Sequence, residues 1–197
     1  MNRYFIINKP FDMVSQFIST HDVRLLGDLN FEFPEGTHAV GRLDNDSEGL
    51  LILTTNKKVT RLLFQSEKKH ERSYLVLVKN IVSAETLEAL RSGVTIRIKG
   101  GEDYVSAPCG IEIVPNPTQL YEYASDPREQ FPHTWLLITL TEGKFHQVRK
   151  MVLAVNHRCL RLIRTSIEKI TLTGMQPGEV KELEEERFFE LLGIKGY

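Results

Sequence analysis

The sequence lacks the features of a membrane, secreted or metal-binding protein. Among its 197 residues there is no run of about 18 apolar residues, so no transmembrane helix is expected. The apolar stretch at the N-terminus is too short for a secretory signal. The two cysteines, Cys109 and Cys159, have the spacing of neither a zinc site nor a redox pair, and we predict buried, inert thiols. These absences favour a cytoplasmic protein without a membrane association.

Several catalytic signatures are also missing. The sequence contains no phosphate-binding G-x-x-x-x-G-K-[ST] loop and no G-x-G-x-x-G after a predicted strand. It has no H-E-x-x-H, which would place two histidines on one zinc ion, and no G-x-S-x-G, which marks serine hydrolases. We therefore predict a function that uses neither a metal ion nor a cofactor.

Charge of one sign does not dominate, because the formal net charge is -1. The charges are nevertheless segregated: residues 142–164 contain six lysines and arginines against one acid, and residues 182–186 are strongly acidic. The basic segment has two possible interpretations. It is either the solvent-exposed face of a helix and a strand, or a surface that binds nucleic acid although the net charge of the whole protein is close to zero. Charge alone favours the solvated face.

Apolar periodicity predicts more strands than helices. Short or alternating apolar runs predict strands at residues 4–8, 38–40, 50–53, 73–78, 94–98, 111–114, 135–140, 159–163 and 170–172. Helical spacing predicts helices at residues 58–65, 145–155 and 184–192, and a further helix opened by Ser83 and ended by Gly93. Residues 116–132 have no sustained period and are predicted as a surface loop. Because helices and strands do not alternate regularly, the pattern favours an α+β fold with a mixed or antiparallel sheet.

The motif GRLDNDSEGLL, residues 41–51, places the carboxylate of Asp44 at the edge of an apolar run. A charged carboxylate near a core edge is costly unless a cation pairs with it, and Arg42 and Arg149 are candidate partners. In one interpretation, Asp44 is the reactive group of a functional site. The alternative is that Asp44 or Asp46 caps a turn and that Ser47 starts a short helical turn.

The motif GKFHQVRKM, residues 143–151, predicts a helix that presents His146, Arg149 and Lys150 after a glycine turn. An arginine so placed can hold a carboxylate bidentately or bind phosphate. His146 by itself is more typical of a polar surface or packing residue. Glu142, just before the motif, suits the positive end of a helix.

The stretch RSYLVLV, residues 72–78, places Tyr74 in a predicted strand. A strand tyrosine usually packs in the core or against a neighbouring strand. The functional alternative is an aromatic surface on which a nucleobase can stack.

Taken together, these motifs resemble those of the RsuA-type pseudouridine synthases. The resemblance rests on INKP (residues 7–10), GRLDNDSEGLLILT (41–54), RSYLVLV (72–78), EGKFHQVRKM (142–151) and LRLIR (160–164), so it spans nearly the whole chain. Such enzymes usually begin with a small S4 RNA-binding domain. Because the INKP strand lies near the start of this sequence, we expect a single catalytic domain, residues 1–197, without an S4 domain. One departure is Phe11-Asp12, where many relatives have a glycine.

The resemblance implies a pseudouridine synthase catalytic domain: an α+β fold with a bent, mixed, mostly antiparallel sheet flanked by helices and a central RNA-binding cleft. It implies that Asp44 is the catalytic aspartate and that Arg149 forms an ion pair with it. Tyr74 would stack on the flipped uracil, and Leu160 or Leu162 would line the pocket. The expected RNA-binding residues are Arg42, Lys144, His146, Lys150, Arg161 and Arg164.

The expected activity is isomerisation of a specific uridine of 23S ribosomal RNA to pseudouridine by a monomer. Breaking the N1–C1′ bond and forming a C5–C1′ bond involves no redox step, which fits the absence of cofactor motifs. Two alternative functions are also compatible with these motifs or with binding to ribosomal RNA. One is a synthase acting on small-subunit rRNA or tRNA, and the other is a non-catalytic rRNA-binding assembly factor.

Overall fold

The computed structural model describes residues 1–197, which divide into two compact units. The first unit consists of Met1–His70 together with Ile163–Tyr197. The second unit is the continuous stretch Glu71–Leu162. None of the helices has the length and apolar character needed to span a bilayer.

Eleven strands and four helices form the α+β fold that the sequence predicts. The strands are β1 (Tyr4–Lys9), β2 (His38–Val40), β3 (Glu48–Thr54), β4 (Arg72–Lys79), β5 (Thr95–Arg97), β6 (Asp103–Val105), β7 (Gly110–Ile113), β8 (His133–Leu140), β9 (Cys159–Ile167), β10 (Ile170–Thr171) and β11 (Val180–Leu183). The helices are α1 (Val59–Phe64), α2 (Ala84–Ser92), α3 (Gln147–Ala154) and α4 (Glu185–Leu192).

The first unit is built on four neighbouring strands in the order β11-β1-β3-β9, with β2 also paired to β3 and β10 to β9. The β3–β9 pair is parallel and the other pairs are antiparallel, so the sheet is mixed, as predicted. Every residue of β1 and β3 is buried, as expected for short apolar strands covered on both faces. Residues of the long β1–β2 connection, including Met13, Leu26 and Leu29, cover one face. Tyr4 stacks on Phe188 of α4.

The second unit is built on the antiparallel strands β4, β8 and β7. Helices α2 and α3 pack on this sheet through Leu90, Val148, Met151 and Val152. The side chain of Ser83 accepts a hydrogen bond from Thr86 N, and Gly93 ends α2. These cap contacts confirm the predicted start and end of the helix.

The sequence missed β6 and β11, and the structure shows why. Strand β6 is only three residues long and largely exposed, and it pairs with β5 alone. Strand β11 is a short, partly exposed partner of β1. A periodic pattern of apolar residues arises because one face of a strand is buried. Short, exposed strands therefore show little of this pattern in the sequence. The predicted loop at residues 116–132 contains two 3₁₀ turns, Pro117–Gln119 and Pro127–Gln130.

Candidate active site

Asp44 lies in the loop that joins β2 to β3, in the first unit. The loop contains a turn in which Ser47 N donates to the backbone carbonyl of Asp44 at 3.1 Å. No helical turn starts at Ser47, because β3 begins at the next residue. That part of the turn-cap alternative is therefore wrong. The Asp44 side chain is half-buried, which leaves a carboxylate at the edge of an apolar strand.

The backbone on both sides of Asp44 is anchored to distant parts of the first unit. Ser15 Oγ donates to Leu43 O at 2.7 Å and accepts from Leu43 N at 3.0 Å. Arg164, which is 3% exposed, donates to Leu50 O from Nε at 2.7 Å and to Gly41 O from Nη2 at 2.6 Å. These contacts fix the start of the loop and the residue immediately before Asp44, and they tie the loop to β3.

Lys9 anchors the loop on the other side of Asp44. Its side chain is fully buried at the end of β1. The ammonium donates to Met13 O at 2.5 Å, to Pro10 O at 3.0 Å and to Asn45 O at 3.4 Å. A lysine that ends an apolar strand was visible in the sequence, but its partners were not.

Burial lowers the pKa of Lys9 to about 8, because the charged form loses hydration. The negative charges of Glu48, Asp46 and Asp44 oppose this shift. Lys9 is therefore a buried cation that experiences the field of the acidic loop and stabilises its negative charge.

The second unit positions Arg149 on α3. The helix begins at Gln147 rather than at Phe145, because His146 has a left-handed backbone with φ of 55°. The prediction that His146 lies on the helix is therefore wrong. Its ring stacks on the exposed Phe145 at 3.8 Å between centroids, and Lys150 Nζ lies 5.2 Å from the Phe145 ring centroid.

A carboxylate network holds the segment before α3. Glu142 accepts hydrogen bonds from the Tyr104 hydroxyl, from Ala107 N at 3.0 Å and from Gln147 Nε2 at 2.5 Å. Gln147 Oε1 in turn accepts from Lys144 N at 2.8 Å. The predicted helix-dipole role of Glu142 is thus replaced by side-chain hydrogen bonding. The sequence analysis did not predict this network. The only sequence feature that could have indicated it is the spacing of five residues between Glu142 and Gln147, which is buried in the structure.

Burial by itself would raise the pKa of Glu142. The hydrogen bonds from Tyr104, Ala107 and Gln147, with the nearby charge of Lys144, outweigh burial and hold that pKa below its ordinary value. Glu142 is therefore a charged anchor at neutral pH.

Arg149 and Tyr74, the other predicted catalytic residues, are both half-buried residues of the second unit. Arg149 Nη1 lies 3.6 Å from the sulfur of Cys159. Tyr74 lies opposite Ile138 in the β4–β8 pair and packs against the core of that unit. The Asp44–Arg149 ion pair would join residues of different units, and it stays a prediction.

The two candidate pocket leucines differ in burial. Leu162 is 6% exposed and belongs to the core of the second unit, whereas Leu160 is half-buried. Leu160 also contributes its carbonyl, which accepts from Arg128 Nη1 at 2.8 Å.

Exposure separates the predicted RNA-binding residues. Arg42 and Lys144 are exposed, and the side chains of His146, Lys150 and Arg161 are half-buried. Arg161 Nη1 donates to Tyr123 O and Ser125 O, each at 3.0 Å, and so holds part of the 116–132 loop. Arg164 is buried against carbonyls of the Asp44 loop, a placement better suited to holding backbone than to binding phosphate.

The cysteines are free but only half-buried, so the prediction of fully buried thiols is wrong in extent. Burial raises the pKa of Cys109 to about 11, and the negative charge of Glu142 adds to the effect. A thiol with so high a pKa is a poor nucleophile at neutral pH, in accord with the predicted inertness.

Comparison with known proteins identifies the family of the chain. The family described as RNA pseudouridylate synthase matches residues 3–154. Ribosomal large subunit pseudouridine synthase E of Vibrio vulnificus (strain CMCP6) is 38% identical over 184 residues, which cover 92% of this chain and 75% of that protein. Ribosomal small subunit pseudouridine synthase A of Escherichia coli (strain K12) is 30% identical over 185 residues, which cover 93% of this chain and 71% of that protein.

The fold is also known. A crystal structure of a pseudouridylate synthase matches with a TM-score of 0.77 and 25% identity, over 97% of this chain and 74% of that one. The sequence and fold matches confirm the resemblance drawn from the INKP, GRLD and HQVR motifs. The chain belongs to the RNA pseudouridylate synthase family.

Proposed function

We propose that this protein isomerises a specific uridine of large-subunit ribosomal RNA to pseudouridine, with Asp44 as the catalytic carboxylate. We propose further that residues 1–197 act as a single catalytic domain, as a monomer, in the cytoplasm and without a metal ion or cofactor. The sheet curvature and the central RNA cleft expected from the sequence belong to the same proposal.

The similarity to the Vibrio vulnificus enzyme is the main support for large-subunit rRNA as the substrate. That relative is named for the large ribosomal subunit and is 38% identical to this chain. The relative named for the small subunit is 30% identical over a similar length. Since both align over most of the chain, small-subunit rRNA is the second candidate substrate.

The anchored loop supports Asp44 as the catalytic group. The neighbours Leu43 and Asn45 are both hydrogen-bonded to the first unit, so the carboxylate has a defined position. Positioned groups react far faster than mobile ones, because orientation is already fixed before the substrate arrives. Asp44 would attack C1′ or C6, or remove the C2′ proton, after the target base leaves its stack.

The remaining residues are proposed to bind the extruded nucleotide and the RNA backbone. Tyr74 would stack on the uracil, Arg149 would pair with Asp44, and Leu160 or Leu162 would line the base pocket. Arg42 would hold the backbone beside the extruded nucleotide. The other proposed RNA contacts are Lys144, His146, Lys150 and Arg161.

The proposal is tested by tritium release from rRNA labelled at C5 of uridine, because forming the C5–C1′ bond expels that hydrogen. Large-subunit RNA, small-subunit RNA and tRNA, labelled in the same way, are assayed separately. The two rRNAs are tested both as free RNA and as ribosomal particles from a strain lacking the protein. Release from large-subunit substrate alone is expected, at one mapped position.

Release from small-subunit RNA or tRNA would retain the chemistry and overturn the substrate assignment. If no RNA or particle released tritium while the protein still bound rRNA, the catalytic proposal would be wrong. The non-catalytic assembly factor would then be the correct reading.

A further inference from the structure

Arg164 touches the Asp44 loop with its side chain and its backbone. Its guanidinium bridges two carbonyls, that of Gly41 at the start of the loop and that of Leu50 in β3, just after the loop. Hydrogen bonds from a charged donor are stronger than neutral ones, and at 3% exposure water competes little for them. One side chain therefore ties the start of the loop to the strand that follows it.

The Arg164 backbone lies against Gly49, its partner in the parallel β3–β9 pair. Gly49 has φ of +100°, and a Cβ there would lie 2.4 Å from Arg164 O and 2.9 Å from Arg164 N. Glycine is needed because any side chain would push the two backbones apart. This close approach brings the guanidinium within reach of the loop carbonyls.

From these contacts we propose that Arg164 is a positioning residue for Asp44 and not a ligand of RNA phosphate. This inference rests on the proposed function for its catalytic consequence, but the loop contacts exist without it. Loss of the bridge frees Gly41 O and Leu50 O while the anchors at Leu43 and Asn45 remain. The carboxylate then shifts, and a misplacement of about 1 Å costs about 10²-fold in rate.

The test compares Arg164→Lys and Arg164→Met with Arg42→Ala, an exposed proposed phosphate contact, and with Lys169→Met, an exposed cation just after β9. Single-turnover tritium release gives the rate of chemistry, and filter binding over a range of salt concentrations gives RNA affinity. Arg164→Met should react about 10²-fold more slowly, with Arg164→Lys between it and the native protein. Both should keep the native affinity and salt dependence.

Arg42→Ala should behave oppositely, with weaker binding and a log–log salt slope smaller by about 0.7. Lys169→Met should match the native protein in all measurements. If Arg164→Lys showed the Arg42→Ala pattern with a native rate of chemistry, Arg164 would be a phosphate ligand. A native rate and native binding in both Arg164 variants would also overturn the proposal.

Two measurements test the positioning role without an active enzyme, and the second of them needs no variant. Amides of residues 41–50 should exchange hydrogen faster in Arg164→Lys than in the native protein, while β1 amides keep their protection. In the native protein, phenylglyoxal should modify Arg42 much faster than Arg164. Equal modification of the two would show that the bridge is open and the proposal is wrong. If no substrate released tritium but phenylglyoxal modified Arg164 slowly, the proposed function would be wrong and the contacts of Arg164 with the loop would still stand.

Discussion

The Asp44 loop and the start of α3 are held by side chains of opposite charge. Cations anchor the segment that carries the acid: Lys9 and Arg164 donate to backbone carbonyls around Asp44. A carboxylate anchors the segment that leads to Arg149: Glu142 accepts from backbone and side-chain donors. In each unit, the supporting charge is opposite to that of the proposed functional group.

This difference has a physical reason. Backbone carbonyls suit cationic anchors, whereas amide and hydroxyl donors suit a carboxylate. Each segment thus uses an anchor whose charge suits the polar groups that it holds.

Replacing the acid itself should have the largest effect. Asp44→Asn keeps the shape of the side chain but removes its charge and nucleophilicity, so tritium release should fall by about 10³-fold or more. RNA affinity should stay near native. Asp46→Asn, two residues further along the same loop, is the matched control and should retain activity. Normal turnover by Asp44→Asn would remove Asp44 from the chemistry.

The corresponding change in the second unit is Arg149→Lys. Lysine keeps the positive charge but cannot bind a carboxylate with two parallel donors, so a loss of about 10²-fold in single-turnover rate is expected. Arg149→Ala should lose more. Arg97→Lys, on an exposed strand of the same unit, serves as the control. A rate for Arg149→Lys equal to that of this control would contradict the role.

Changing the anchor of α3 should have a smaller effect. Glu142→Gln removes a charged acceptor of three hydrogen bonds, so we expect a loss of about 1–2 kcal/mol in unfolding free energy and a modest fall in rate. Because the folded-state pKa of Glu142 is lowered, its contribution is present above the ordinary pKa of 4.5 and is lost as pH falls from there through the lowered value. Denaturant unfolding of native and variant protein across this window measures the difference. A difference independent of pH would contradict a charged anchor.

The last prediction concerns the pH dependence of stability at the cationic anchor Lys9. Its folded-state pKa is lowered to about 8 from an ordinary 10.5, so the unfolded chain binds the proton more tightly. Stability relative to Lys9→Met should therefore rise with pH between these values, by at most about 1.4 kcal/mol per pH unit. Denaturant unfolding measures this rise, and NMR titration of the Lys9 side chain checks its origin. A midpoint near 10.5 would show that burial does not perturb this group.

Local signals in the sequence predicted most of the fold. The apolar runs at β1 and β3, the Ser83 cap and the Gly93 end depend on neighbouring residues, and each has its predicted counterpart in the structure. The family motifs placed Asp44 in a loop before a buried strand. The short strands β6 and β11 escaped prediction, because they are short, partly exposed and paired with distant residues.

The sequence by itself therefore determined the class of fold, the family and the segments that carry the proposed functional groups, because periodicity, caps and motifs depend on adjacent residues. Only the tertiary structure shows which cationic side chains are exposed to solvent and which donate hydrogen bonds to backbone carbonyls. Arg164 reaches carbonyls 114 and 123 residues away, a separation that no local pattern encodes. Arg42 and Arg164 look alike in the sequence, but burial separates them, because a guanidinium removed from water must satisfy its donors on the protein itself.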